Sequence, residues 1–219
     1  MSLKANLPNA KTLGIYRYAL SNAETHARIS KALDDIGYGT EKLEEGKRLF
    51  DEAQQAFHAC VNGKDLRKHY SAEFSRKKVE LAKLFDIHRK KAKLIYRNNP
   101  AKVKLLAVYG PLPTLHDKWI ESVRKFYTEA LSNQDIQDKL AEMKVSPEEL
   151  NAGLAKIDEV EIARAEYMKH KGDSQDSTQT KDEAFKTLHD WMRTFYYAAK
   201  IGLNDNPQLL ESLGKIVKA

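Results

Sequence analysis

The chain has 219 residues, with 37 Lys or Arg against 31 Asp or Glu and a formal net charge of +6. Hydrophobic residues make up 42% and charged residues 31%. That balance suits helical bundles rich in surface, and the recurrence of Leu, Ile, Tyr and Phe throughout excludes disorder. Ten Gly and six Pro are too few for the many tight turns of an all-β fold.

Cys60 is the single cysteine, so an intramolecular disulfide and a multi-cysteine zinc site within one chain are excluded. A reducing, cytoplasmic setting is expected. No uncharged run approaches the ~18 residues of a membrane-spanning helix. The opening Met1-Ser2-Leu3-Lys4-Ala5-Asn6 has no apolar signal core.

The first helical segment is expected from about Asn9 to Ile36. Leu13, Tyr16, Leu20, Ala23, Ala27, Leu33 and Ile36 recur at steps of three, four or six. Gly37-Tyr38-Gly39 ends it, and Thr40 suits the N-cap of the next. The second segment, Thr40 to Asn98, contains no proline. Its apolar face runs through Leu43, Leu49, Phe50, Ala53, Phe57, Val61, Leu66, Tyr70, Phe74, Leu81, Leu84, His88 and Ile95. Asn62-Gly63 is its one weak point, where the alternatives are a continuous helix and a bend or break. Asn99-Pro100 then opens a short helix to Val108, because Asn caps and Pro fits the first helical position.

Gly110-Pro111-Leu112-Pro113 reads as the linker between two halves. A third segment, Thr114 to about Ser132, carries Trp119, Ile120, Val123, Phe126, Tyr127 and Leu131 on one face. A short helix from Asp135 to Met143 follows. Ser146-Pro147-Glu148-Glu149 is a helix start with a cap, a proline and a carboxylate at the third position. The fourth segment runs from Pro147 to Leu203. Its polar stretch from Gly172 to Thr180 is either a loop or a solvated length of helix. Asn206-Pro207 opens a last short helix, Gln208 to Leu213, ended by Gly214.

Shifting the chain by 107 residues aligns the halves without a gap. Asn99-Pro100 falls on Asn206-Pro207, Gly46 on Gly153, and Asp51-Glu52 on Asp158-Glu159. Leu33, Leu43, Leu81 and Leu106 fall on Leu140, Leu150, Leu188 and Leu213. The expected architecture is therefore all-α. It is one domain spanning 1–219, an antiparallel up-and-down four-helix bundle made from a duplicated helical hairpin. The pseudo-repeats are 11–109 and 118–216, joined around 110–113. The alternative is two hairpins that merely share a composition.

The search for chemistry finds no catalytic or metal pattern. The residues three positions before the seven histidines are Ala23, Gln55, Leu66, Phe85, Pro113, Tyr167 and Lys186, so no Glu-x-x-His of a di-iron bundle exists. His58 and His69 share a helix face but stand ~16 Å apart, too far for one metal. Gly46-Lys47 and Gly63-Lys64 lack the rest of a phosphate-binding loop, and there is no Gly-x-Ser-x-Gly elbow. Cys60 reads as a buried structural thiol. No cofactor, metal, small-molecule substrate or enzymatic activity is expected.

Charge is the informative feature. From Gly63 to Lys104 there are 14 Lys or Arg against four Asp or Glu. Arg76, Lys83, Lys90 and Arg97 recur every seven residues and form one slowly drifting stripe, widened by Lys77, Lys78, Arg89, Lys91 and Lys93. The stripe is a candidate surface for nucleic acid, an anionic membrane or an acidic protein. Its alternatives are a solvated face or pairing with acids between Asp138 and Glu166. It lacks interleaved aromatics, which argues against single-strand base stacking.

A second feature is the run from Asp190 to Leu203. Trp191, Met192, Phe195, Tyr196, Tyr197 and Ile201 wrap more than one helix stripe. Core packing is the leading reading. Trp191, Phe195, Tyr196 and Tyr197 are the candidate interface if that run instead serves self-association or a membrane contact. The ending Trp191…Ala199-Lys200-Ile201…Asn206-Pro207-Gln208-Leu209-Leu210-Glu211…Leu213-Gly214 resembles that of uncharacterised bacterial all-helical proteins over about the last 35 residues. The resemblance implies a helical bundle and carries no catalytic residues across. The expected function is a non-catalytic protein-interaction or scaffold module, by protein partner or self-association, with anion binding through the stripe as the alternative.

Overall fold

The computed structural model describes residues 9–214, and every regular element among them is a helix. Met1–Pro8 lie outside the described residues, as do residues 215–216 at the end of the second pseudo-repeat. In chain order the helices are α1 (Asn9–Thr25), α2 (Ala27–Asp34), α3 (Thr40–Ile95), α4 (Pro100–Leu105), α5 (His116–Ser132), α6 (Gln134–Glu142) and α7 (Pro147–Gly202). A 3-10 helix, Pro207–Leu213, closes the series.

The caps follow the sequence chemistry. Asn99 Oδ1 accepts from the Lys102 N–H at 3.1 Å, with Pro100 at the first helical position. Asn133 Oδ1 accepts from Ile136 N–H at 3.2 Å, and Ser146 Oγ from Glu149 N–H at 3.3 Å. Gly214 adopts φ +76°, the left-handed conformation in which glycine ends a helix without strain.

The structure departs from expectation at one place and decides two that the sequence left open. The first segment is two helices, because His26 is extended (φ −85°, ψ 103°) and its carbonyl accepts from Ile29 and Ser30 to start α2. This break turns Ile29 into the core, while Ala27 is exposed. Helix α3 passes through Asn62-Gly63 without interruption. The polar stretch from Gly172 to Thr180 is helical. Its hydroxyls satisfy themselves locally: Ser177 Oγ and Thr178 Oγ1 donate to the Ser174 carbonyl at 3.2 and 2.7 Å.

Two compact units emerge. One holds the residues up to Asp65 together with those from Gly172, and the other holds Leu66–Lys171. Each takes part of α3 and part of α7. The expected linker, 110–113, lies inside the second unit.

In the first unit α1, α2, the front of α3, the back of α7 and the 3-10 helix enclose Leu20, Ile29, Leu33, Phe50, Met192 and Phe195. Trp191 covers Gly46, Phe57 meets Phe185 with ring centroids 6.4 Å apart, and Cys60 meets Thr178. In the second unit the back of α3, α4, α5, α6 and the front of α7 enclose Leu81, Phe85, Phe126, Tyr127, Ile136 and Leu140. Tyr70 stacks on His170 at 4.1 Å, Phe74 on Tyr167 at 6.1 Å, and Lys77 pairs with Glu159 at 2.9 Å. In both units the α7 partner number falls as the α3 number rises. Val61 and Leu66, expected on the apolar face, are exposed.

Element boundaries recur at one interval. Asn9 and His116, Thr40 and Pro147, and Pro100 and Pro207 are each 107 residues apart, and α3 and α7 both span 56 residues.

Candidate interaction surface

Within the second unit, α3 turns Leu81, Phe85, His88 and Ala92 into the core. Its opposite side carries Arg76, Lys83 and Lys90, all exposed, and Arg97 follows in the turn after the helix. Between them stand Val79, Ile87 and Leu94, which are 50%, 51% and 56% exposed. At 100° per residue these side chains fall within an arc of about 80°. The surface is therefore a single row in which cations and aliphatics alternate.

Arg76 pairs with Glu80 at 2.8 Å and Lys90 with Asp86 at 2.7 Å, both one turn apart on the same helix. The Arg76 hydrogen bond is the main reason the Glu80 carboxyl titrates below its usual range. Exposed pairs of this kind contribute little to stability and are readily exchanged for another anion. Lys83 and Arg97 have no ion-pair partner among the described residues.

The flanking cations behave differently. Lys77 reaches Glu159, Lys78 lies 5.4 Å over the Trp119 ring, and Lys91 donates to the Lys144 carbonyl at 3.3 Å. Arg89 donates to the Gly110 carbonyl and so fastens the proline-rich loop to α3. Burial and the neighbouring Arg89 push the Lys93 ammonium down. These residues hold the unit together, whereas the seven-residue series faces outward. Val79, Ile87 and Leu94 escaped the sequence reading. Their only signal is a three- or four-residue spacing from the cations, on the side opposite the expected apolar face.

The C-terminal aromatic cluster divides. Trp191, Phe195 and Tyr196 are core residues of the first unit. Trp191 stacks on Phe195 at 5.5 Å, and Tyr196 Oη donates to the Leu213 carbonyl at 3.0 Å. Tyr197 alone of the four faces solvent, 70% exposed, with Ile201 one turn on at 54%.

Two histidine–tyrosine pairs are buried or half-buried. His88 Nδ1 lies 3.2 Å from Tyr127 Oη, and His189 Nδ1 lies 2.7 Å from Tyr16 Oη. Burial lowers both imidazoles and raises both phenols, Tyr16 to about 12. Their surroundings are core side chains, so they act as internal braces. Cys60 is buried, with Sγ 3.5 Å from Thr178 Oγ1. Among the described residues no three His, Cys, Asp or Glu side chains gather as a metal would require, and no helix is long and apolar enough to cross a membrane. No family model, curated protein or solved structure matches the chain.

Proposed function

We propose that the protein is a non-catalytic interaction module whose working face is the outward row of α3 and whose partner is anionic. The observation that carries this reading is the alternation of Arg76, Lys83, Lys90 and Arg97 with three half-exposed aliphatics. We also read the fold as an antiparallel up-and-down four-helix bundle derived from a duplicated hairpin. The 107-residue recurrence of helix starts and the falling order of α7 partners along α3 support it.

That reading sharpens the functional one. Under the 107-residue shift Arg76, Lys83, Lys90 and Arg97 correspond to Glu183, Asp190, Tyr197 and Asn204. The duplicated frame therefore does not require cations at these places, and the charge is particular to the first copy. A cytoplasmic setting accords with the single, buried thiol.

The test is elution from a heparin column along a salt gradient. Reversing Arg76, Lys83, Lys90 and Arg97 to Glu is compared with reversing Lys42, Arg48, Lys139 and Lys200, which changes net charge equally. A surface of defined place predicts much earlier elution of the first variant only. Equal shifts would reduce the row to its share of overall charge.

A second reading, self-association, is favoured by Tyr197 and Ile201, exposed one turn apart on α7. It predicts a concentration-dependent mass in sedimentation equilibrium that Tyr197→Ser with Ile201→Ser abolishes. A monomer at all concentrations would discard it.

A further inference from the structure

We infer that the outward row of α3 docks on an anionic lipid surface, its cations meeting headgroup phosphates while Val79, Ile87 and Leu94 enter the headgroup boundary. The inference rests on the row being the working face and names the chemistry of its partner.

Three observations select lipid. The first is the composition of the row. Phosphates of a nucleic-acid backbone are satisfied by cations and polar donors. Exposed Val, Ile and Leu gain nothing there, whereas at a bilayer interface they leave water. Long Arg and Lys stems allow the charged heads to stay at phosphate level while neighbouring aliphatics sink deeper.

The second is shape. Val79, Ile87 and Leu94 are each half-exposed on the outer side of one helix. A partner helix docking by its apolar face needs a groove. A lipid interface needs only a projecting row, since the headgroups rearrange around it.

The third is charge. A second copy docking by the same face would set four cations against four cations, which is unfavourable. Glu80 and Asp86, the acids bonded to the row, meet it through exposed pairs, one each. Glu80 also reaches Lys156 at 3.5 Å, so it keeps a cation when Arg76 turns to a headgroup.

The experiment is co-sedimentation of the full chain with vesicles of phosphatidylcholine alone or with about one-third phosphatidylserine, over a salt series. Duplex DNA and heparin are measured in parallel. One variant reverses Arg76, Lys83, Lys90 and Arg97 to Glu. The other is Val79→Ser, Ile87→Ser and Leu94→Ser, which touches only exposed positions, and its melting temperature is checked against the parent.

The inference predicts binding to the phosphatidylserine vesicles and not to phosphatidylcholine alone. Each removed cation should weaken it about fivefold. The serine variant should lose at least about tenfold on vesicles and keep its affinity for heparin. Vesicle binding that ignores the serine substitutions would overturn it. So would tighter binding to duplex DNA than to vesicles. Heparin binding that depends on the four cations, without any vesicle binding, would leave the working face in place and remove lipid as its partner.

Discussion

The ring of Tyr127 fills the space that a side chain on Gly153 would occupy. Gly153 sits inside α7, where Gly→Ala ordinarily stabilises a helix by up to about 1 kcal/mol. Here the added methyl must displace a fully buried ring that also holds His88. Overpacking of this kind costs about 1–3 kcal/mol. Gly153→Ala should therefore lower stability in urea unfolding, and an unchanged or higher midpoint would contradict the packing.

Gly172 supplies the opposite sign. It lies in the same helix, yet a Cβ built on it meets nothing within 4 Å. Gly172→Ala should raise stability by up to about 1 kcal/mol, through helix propensity and a less flexible unfolded chain. Equal losses at 153 and 172 would mean that helix α7 is not continuous through the polar stretch.

These glycines show how much of the fold was legible. Asn99-Pro100 and Ser146-Pro147 announce helix starts by their own chemistry, and the structure uses both. The break at His26 has no such signature, since no glycine or proline stands there and the backbone alone turns. The composition of the stretch from Gly172 to Thr180 leaves a loop and a solvated helix equally open. The stretch is a helix because Ser174 is buried and two neighbouring hydroxyls bond back to its carbonyl, so small polar residues pack without orphaned groups. At the candidate surface the cations were legible from their seven-residue spacing. The aliphatics between them were not: the face through Leu81, Leu84 and His88 was legible as the inner one, but three apolar residues on the opposite side carry no signal that they stand among the cations.

Stability should fall on mild acidification. Burial holds the His88, His116 and His189 imidazoles below their ordinary value of 6.5. Lys91 pushes His88 down further and Glu149 opposes it. The unfolded chain takes up protons near 6.5 that the folded chain resists. The stabilisation is full above that pH and is lost as pH falls through it toward the lowered native values. Urea midpoints should therefore drop between pH 7.5 and pH 5.5. A flat profile across that window would contradict imidazoles held neutral by desolvation.

Cys60 should be inert in the folded protein. It is 2% exposed and lies within 3.5 Å of the Thr178 hydroxyl. A thiol reagent should react slowly with the native chain and fully in denaturant. Rapid native labelling would contradict a structural thiol.

The most direct measurement for the working face is lysine footprinting. The chain is acetylated with and without saturating heparin, and each lysine is read by mass spectrometry. Lys83 and Lys90 should be protected together, while Lys42 and Lys139, also exposed but far along the sequence, remain reactive. Protection spread evenly over all exposed lysines, or concentrated away from Lys83 and Lys90, would contradict the assignment of the α3 row.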